Sequence, residues 1–249
     1  SAVWEITHSI TLVKSTKTLR EEILTLRKKE KQPVKTAAYG VSVENLKVTY
    51  DEGETLTYPN FTIKPGEKVL LTGDSGTGKS TLFKALLGKI ETKCGKITYF
   101  DKESRPITNA NLGYLPQDPI VFPISIKDNI TMFVKRTEKQ LMNIINNVEL
   151  KNDLDKMPSG IDTEVNLKKN NLSGGQRQKI VLARSEIYHQ PFVLMDEVTS
   201  AIDQKATEEI ITALLKTDQT ILMIAHNFTP ELRAKFDQEI KLAKKGEEE

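Results

Sequence analysis

The chain has 249 residues and carries 36 basic and 34 acidic side chains, so its formal net charge is only +2. This length allows one large domain or two small ones, and the near-neutral charge does not indicate a nucleic-acid-binding surface. The sequence has neither the run of about eighteen apolar residues of a membrane span nor the apolar segment of a signal peptide, and its single cysteine, Cys94, excludes an intrachain disulfide and favours a reducing compartment.

The first 30 residues have the pattern of an amphipathic helix. Apolar residues recur near one stripe between Ile6 and Leu26, charged residues occupy the rest of the surface, and Pro33 blocks further helix. One interpretation is a surface helix that packs on its own domain. The other is a connector whose apolar stripe belongs against a partner outside this chain.

Two strands and then a strand, loop and helix are predicted next. Residues 41–50 alternate apolar and polar side chains, and a turn signal at 51–54 precedes a second predicted strand over 56–63. Residues 68–72 form a short apolar run typical of a buried strand, and residues 81–87 have helical spacing.

Between this strand and this helix lies the P-loop pattern G-x-x-x-x-G-K-S, formed by Gly73, Asp74, Ser75, Gly76, Thr77, Gly78, Lys79 and Ser80. Its glycines allow backbone N–H groups to approach a phosphate, and the following helix directs its positive end at the same anion. Lys79 can reach the β- and γ-phosphates, and the Ser80 hydroxyl can bind Mg²⁺.

The second half of the chain alternates helices with buried strands. Short strands are predicted at 95–100 and 111–115, and a shift in composition over 116–170 indicates a small inserted helical subdomain. The remaining predicted elements are helices at 137–150, 173–188 and 204–215, and strands at 192–195 and 220–225. Strands that are apolar throughout predict an α/β fold with a parallel sheet covered on both faces.

Two further stretches carry chemistry. Asp196 and Glu197 follow a buried strand, where one carboxylate can hold Mg²⁺ beside the P-loop and the other can polarise water as a general base. Ser173, Gly174 and Gly175 open a helix and form a second anion-binding end. Since one triphosphate needs only one cradle, the second one suggests that the γ-phosphate is gripped from another subunit.

Together these motifs resemble the nucleotide-binding domain of ATP-binding cassette (ABC) proteins, from Val41 to Leu242 and in the family's order. The matching segments are the following: the signature motif at 172–176, Walker B with its catalytic glutamate at 192–197, the D-loop at 200–203, the Q-loop at 115–118 and the switch histidine at 226. The resemblance implies a P-loop NTPase (RecA-like) core with an antiparallel β subdomain and an inserted helical subdomain. It departs from the family's exporters at residues 166–169, where they usually have G-E-R-G, and at Asn227, which replaces a common arginine.

The resemblance also implies roles for individual residues and two cofactors, ATP and Mg²⁺. Glu197 is implied to be the general base, His226 to contact the γ-phosphate and Tyr50 to stack on adenine. The implied phosphate and nucleotide contacts are Gly73, Asp74, Ser75, Gly76, Thr77, Gly78, Lys79, Ser80 and Thr81, with Ser173, Gly174, Gly175 and Asp203 acting across a dimer. Ser80, Gln117 and Asp196 are the implied metal ligands, and Lys79 and Gln117 are also counted as catalytic.

Finer detail indicates an exporter-type half-transporter. Residues 114–130 and 160–165 resemble the exporter segments around the Q-loop and at the start of the X-loop. The expected organisation is a connector helix at 1–35 and an ATPase domain at 36–249, with a core at 40–116 and 190–243 and a helical subdomain at 117–189. Expected partners are a second ATPase domain and a fused N-terminal permease, at the cytoplasmic face of the membrane and without nucleic acid. A separate importer-type subunit and a soluble ABC ATPase remain open alternatives.

Overall fold

The structure is a computed structural model that describes Glu21 and residues 35–49, 55–226 and 228–243. The helix predicted for the first 30 residues therefore lies outside the described residues, apart from Glu21. The described elements follow one another in this order: β1 (Thr36–Ala37), β2 (Gly40–Thr49), β3 (Thr55–Thr57), β4 (Phe61–Ile63), β5 (Lys68–Gly73), α1 (Lys79–Leu86), β6 (Cys94–Phe100), β7 (Pro106–Ile107), β8 (Ala110–Asn111), β9 (Gly113–Leu115), α2 (Ile126–Thr131), α3 (Glu138–Asn147), α4 (Lys151–Leu154), a 3₁₀ turn (Gly160–Asp162), α5 (Gly174–Tyr188), β10 (Phe192–Asp196), α6 (Gln204–Leu215), β11 (Thr220–Ile224), α7 (Pro230–Arg233) and β12 (Gln238–Leu242).

A five-stranded parallel sheet in the order β12-β5-β11-β10-β9 carries the P-loop. Its central strands are buried on both faces, as the apolar runs predict. Successive side chains of β5 illustrate this, because Val69 and Leu71 pack in one hydrophobic core and Leu70 packs in the other. The predicted parallel sheet covered on both sides is therefore confirmed.

The two hydrophobic cores have different walls. One joins a face of the parallel sheet to α1 and to the antiparallel sheet β3-β2-β6-β7, in which β4 also pairs with β2. The other joins the opposite face to α6 and to the helices between residues 126 and 188. The parallel sheet thus holds the end of β5, where the P-loop begins, and the end of β10, where the acidic pair lies, in one rigid layer.

Two predicted strands are wrong in extent. The strand expected over 56–63 is divided into β3 and β4, because Pro59 has no N–H to donate to the ladder and the Asn45 N–H bonds the Asn60 side chain in place of a backbone carbonyl. The strand expected over 111–115 is divided as well, since β8 pairs with β1 whereas β9 pairs with β10. The edge strand β12 and the short helices α2 and α7 were not predicted.

The longer helices begin and end close to their predicted positions. Thr137 and Gln140 form a capping box at the start of α3, and α6 spans the predicted residues. The helix predicted after Ser173 is confirmed as α5, which ends at Tyr188. Within the described part of the chain, no helix is both long and apolar enough to cross a bilayer.

Candidate active site

The loop between β5 and α1 has the backbone of a phosphate cradle. Gly78, which precedes α1, has a φ of 91°, and a Cβ atom there would lie 2.7 Å from the Leu56 side chain and 2.8 Å from the Tyr58 hydroxyl. The Tyr58 hydroxyl also donates to the Gly78 carbonyl over 3.0 Å. The positive φ and the close Leu56 and Tyr58 atoms favour glycine here, and α1 begins directly after it with its N-terminus at the loop.

Lys79 is buried within this loop. Its Nζ donates to the carbonyl oxygens of Gly73 and Asp74 over 2.7 and 2.9 Å. Burial lowers the pKa of Lys79, whereas the nearby negative charges of Glu197, Asp74 and Asp196 act to raise it. The ammonium group is therefore held at the phosphate cradle, next to the carboxylates that end β10.

A cavity of about 420 Å³ lies above the loop. Its lining residues are Leu56, Ser75, Gly76, Gly78, Lys79, Ser80, Thr81, Gln117, Glu197 and His226. The structure thus brings most of the predicted P-loop residues together with Gln117, Glu197 and His226. Ser173, Gly174, Gly175 and Asp203 do not line this cavity.

Asp196 ends β10 and is buried. Burial, followed by the charge of Glu197, raises the pKa of Asp196, whereas hydrogen bonds from Tyr114 and Ser80 and the charge of Lys79 oppose this rise. A carboxylate and a serine hydroxyl are the hard oxygen ligands that Mg²⁺ prefers. Among the described residues no group of three His, Cys, Asp or Glu side chains is placed to hold a metal ion.

Glu197 is oriented from two sides. Gln117 Nε2 donates to its Oε2 over 2.8 Å, and His226 Nε2 lies 3.0 Å from its Oε1. Its backbone has a φ of 49° and is held by a hydrogen bond from its N–H to the Ile224 carbonyl. A non-glycine residue in this left-handed region is uncommon and costs free energy, so the surrounding contacts fix the carboxylate in an unusual backbone position.

Residues 56–200 match the protein family described as ABC transporter. This chain belongs to that family. Three ABC relatives are 36%, 31% and 33% identical to it: the mesentericin-Y105 transport/processing ATP-binding protein MesD of Leuconostoc mesenteroides, the transport/processing ATP-binding protein ComA of Streptococcus pneumoniae and the multidrug resistance-like ATP-binding protein MdlB of Buchnera aphidicola.

The matches to these relatives cover 68%, 71% and 78% of this ABC domain but only 24%, 25% and 35% of the relatives. The chain therefore spans about a quarter to a third of their length. A solved bacterial Atm1-family ABC exporter with ATP bound has a TM-score of 0.71 and 25% identity, over 84% of this chain and 38% of that one. The predicted P-loop NTPase fold of an ABC ATPase domain is confirmed.

The ABC signature segment lies at the start of α5, on an exposed part of the domain. Ser173 caps the helix and accepts from the Gln176 N–H over 3.2 Å, while Gln176 Oε1 accepts from the Ser173 N–H over 2.9 Å. Lys179, one turn further along, donates to Asp153 Oδ2 over 2.9 Å, and Gln176 Nε2 donates to the other oxygen of Asp153 over 3.1 Å. These bonds attach the signature helix to α4.

The D-loop packs directly against the signature glycines. A Cβ atom on Gly175 would lie 2.7 Å from the Ala201 carbonyl oxygen, and one on Gly174 would lie 3.1 Å from the Ala201 Cβ. Gln178 of α5 also bonds the D-loop, since its amide nitrogen donates to Ser200 Oγ over 3.1 Å and its amide oxygen accepts from the Ala201 N–H over 3.0 Å. The glycines are thus needed for close approach to the D-loop as well as for any contact with phosphate.

Three predicted or alternative nucleotide contacts remain. The Asp203 carboxylate caps α6 by accepting from the Ala206 N–H over 3.0 Å, and this bond lowers its pKa. Tyr50 lies outside the described residues. Tyr58, its nearest aromatic alternative in the sequence, is buried against Gly78, so it supports the P-loop.

Sequence reasoning missed the supporting residues Leu56, Asp153 and Gln178. Each acts through a contact with a segment distant in the sequence, so no local motif indicates it. Tyr114 falls within the segment 114–130 that resembles exporters, but that resemblance does not indicate that its hydroxyl lies 3.5 Å from Asp196 Oδ2. A tyrosine at the end of a strand that pairs with the Walker B strand is a signal that could have been used.

Proposed function

We propose that this chain is the ATP-binding and ATP-hydrolysing motor domain of an ABC exporter. The observation that carries the proposal is the convergence of Lys79, Glu197, Gln117 and His226 on one cavity above a glycine-shaped P-loop. A positive side chain suited to phosphate and an oriented carboxylate suited to water are the two components that phosphoryl transfer to water requires.

The P-loop would hold the triphosphate. In this proposal Lys79 exchanges its bonds to the loop carbonyls for the β- and γ-phosphates, and backbone N–H groups of the loop and of α1 complete the cradle. The proposed nucleotide contacts within the chain are Tyr50, Gly73, Asp74, Ser75, Gly76, Thr77, Gly78, Lys79, Ser80 and Thr81.

Ser80 and Asp196 would hold a magnesium ion, with Gln117 as a third proposed ligand. The ion would supply positive charge to the phosphate oxygens when it is bound. In the structure the Gln117 amide nitrogen donates to Glu197, so its oxygen is the atom suited to a cation. Asp196 needs to be ionised for this role, and the nearby Lys79 and Ser80 favour that form.

Glu197 is the proposed general base. Its two carboxylate oxygens are positioned by Gln117 and His226, so the group can accept a proton from water at the end of the triphosphate without first changing its rotamer. His226 is the proposed contact to the γ-phosphate. In that role His226, which lines the same cavity, exchanges the contact between its Nε2 and Glu197 for a phosphate oxygen.

A second ATPase domain is the proposed partner. The signature residues Ser173, Gly174 and Gly175 do not line the P-loop cavity of their own chain, and the exposed Ser173 begins a helix whose N-terminus suits an anion. A head-to-tail pair would bring the signature of each chain to the triphosphate of the other. Asp203 would act at that interface through the D-loop that it ends.

An apolar groove of about 300 Å³ supports a permease as the other partner. It lies between β9 and α5, and Ile120 and Tyr188 at its sides are 60% and 39% exposed. Relatives named as transport/processing and multidrug resistance proteins, together with the exporter fold match, support an exporter at the cytoplasmic face of a membrane. In this proposal residues 1–35 connect the permease to the ATPase domain at 36–249, whose helical subdomain is 117–189.

The decisive experiment replaces the proposed base by its neutral isostere. Glu197→Gln keeps groups that can bond Gln117 and His226, so ATP binding is expected to remain within about twofold while steady-state hydrolysis falls by about 10²- to 10⁴-fold. Dimers should accumulate with ATP and Mg²⁺ in light scattering. Glu103→Gln, at an exposed site paired with Arg105, is the matched control and should hydrolyse ATP like the unmodified chain.

Full hydrolysis by Glu197→Gln would show that Glu197 is not the general base.

The fused permease is tested separately with an antibody against this domain on fractionated source cells. A band far above 28.0 kDa in the membrane fraction would support the connector, and a band at that mass would contradict the fusion.

A further inference from the structure

Tyr114 links the apolar groove to the candidate magnesium site. Tyr114 is one of the residues that line the groove between β9 and α5, and it is 36% exposed. Its hydroxyl donates to Asp196 Oδ2 over 3.5 Å, at the outer limit of a hydrogen bond. One residue therefore belongs to the proposed docking surface and also contacts the proposed metal ligand.

The ring of Tyr114 is fixed by contacts to the P-loop helix and to the residues after it. It meets Phe83 of α1 edge to face, with centroids 6.4 Å apart and planes at 85°. Lys89 Nζ lies 5.0 Å from the centre of the same ring. Because β9 pairs with β10 with Tyr114 opposite Leu194, the hydroxyl is directed towards the end of the neighbouring strand, where Asp196 lies.

A carboxylate that binds Mg²⁺ through one oxygen rotates freely unless its second oxygen is held. Groups that hydrogen-bond to metal ligands fix their orientation, and their loss commonly weakens metal affinity by about 10- to 100-fold. Asp196 has such a group at Oδ2, and the Ser80 hydroxyl also bonds the carboxylate.

We propose that Tyr114 is a positioning residue that orients the Asp196 carboxylate for magnesium. The inference rests on the proposed ATPase function. It assigns the Q-loop strand a part in the metal site that does not depend on Gln117. Because Tyr114 is also one of the residues that line the groove, the orientation of Asp196 is connected through this residue to the surface proposed for the permease.

The test separates nucleotide binding from magnesium binding. A fluorescent ribose-modified ATP is titrated into the 249-residue chain with a chelator present, and Mg²⁺ is then titrated into the complex. Tyr114→Phe is expected to leave the magnesium-free affinity within about twofold and to raise the half-saturating Mg²⁺ concentration by about tenfold, the lower end of the usual range because the bond is long. Mn²⁺ binding by electron paramagnetic resonance gives a second measure without hydrolysis.

Tyr99→Phe is the matched control. The Tyr99 hydroxyl donates to the Leu86 carbonyl at the end of α1, so this variant loses a tyrosine hydroxyl bonded to the P-loop helix but not to Asp196. Its half-saturating Mg²⁺ concentration should stay within about twofold of the unmodified chain. For each variant the unfolding temperature is measured with ATP alone and with ATP plus Mg²⁺. The difference between the two temperatures reports magnesium binding, so a general loss of stability is not mistaken for weaker magnesium binding.

If Tyr114→Phe binds the nucleotide normally and its half-saturating Mg²⁺ concentration is unchanged, this inference is overturned but the proposed function is not. An equal rise in Tyr99→Phe would also overturn it, because the effect would then come from the helix and not from Asp196. Failure of the unmodified chain to bind the nucleotide would overturn the proposed function and this inference with it.

Discussion

Glu186 on the signature helix is predicted to destabilise the domain at alkaline pH. Burial raises the pKa of its carboxyl group to about 7 from an ordinary value of 4.5, although the Asn147 side-chain amide donates to Oε2 over 3.3 Å and acts against this rise. The folded chain therefore retains this proton at pH values where the unfolded chain has lost it. The contribution of Glu186 to the free energy of unfolding must therefore fall as pH rises from about 4.5 through 7.

The magnitude follows from the two pKa values. Each pH unit between them changes the free energy of unfolding by about 1.4 kcal/mol, so the full difference would be about 3 kcal/mol. Water reaches part of the side chain, which reduces the expected effect to about 2 kcal/mol. Glu186→Gln removes the charge and keeps an oxygen that can accept from Asn147, so the variant should be more stable by about 2 kcal/mol at pH 8 and by less than about 1 kcal/mol at pH 5.

Urea unfolding followed by circular dichroism at pH 5 and pH 8 measures this difference. Glu91→Gln is the control, because Glu91 is exposed and its replacement should change stability by less than about 0.5 kcal/mol at either pH. Equal stabilities of Glu186→Gln and the unmodified chain at pH 8, or a less stable variant, would refute the reasoning from burial.

Two other predictions concern the candidate site. Gly175→Ala should lower ATP hydrolysis at least about tenfold, because its Cβ would lie 2.7 Å from the Ala201 carbonyl and displace the D-loop. The unfolding temperature should change little, because alanine favours the helix over glycine by about 1 kcal/mol. A steady-state rate equal to that of the unmodified chain would exclude the clash. Asp196→Asn should raise the unfolding temperature of the nucleotide-free chain, because burial makes the ionised carboxylate unfavourable at neutral pH. The same variant should lose the extra stabilisation that Mg²⁺ gives in the presence of ATP. A thermal scan that shows a lower temperature, or a retained magnesium effect, would contradict it.

The sheet and the main helices could be predicted because their signals are local. Continuous apolar runs give β10 and β11, whose side chains are buried on both faces. Polar signals mark where helices begin: Ser173 and Thr137 each cap a helix with a glutamine three residues later, and both capping boxes are present in the structure. Where the free energy of an element depends on its own residues, the sequence indicates it.

Elements that depend on distant contacts were missed. In β12 only Ile240 and Leu242 are buried, and the strand exists because it pairs with β5 at the edge of the sheet. The helix α7 has four residues and a Thr229 cap, too few for a periodic signal. The division of the predicted strand at 56–63 likewise involves a contact between separate segments, the hydrogen bond from the Asn45 N–H to the Asn60 side chain.

The candidate site shows the same limit at the level of single atoms. Motif spacing identifies Gln117, Glu197 and His226, but it does not indicate that both other residues bond the carboxylate of Glu197. That arrangement depends on the register of β9, β10 and β11, which sets the height of the three loops above the sheet. Sequence motifs therefore predict which residues meet, and strand register determines which atoms do.

The contacts between the signature helix and Glu197, the proposed general base, form an unbroken series within the chain. Gln178 of α5 holds Ser200 and Ala201, and the Ser200 N–H donates to the Glu197 carbonyl over 3.1 Å. A shift of α5 would therefore act on the backbone of Glu197, whose left-handed conformation already costs free energy. If the signature binds the triphosphate of a partner chain, the strain at each base depends on the occupancy of the opposite site, and the two sites of the dimer should not hydrolyse ATP independently.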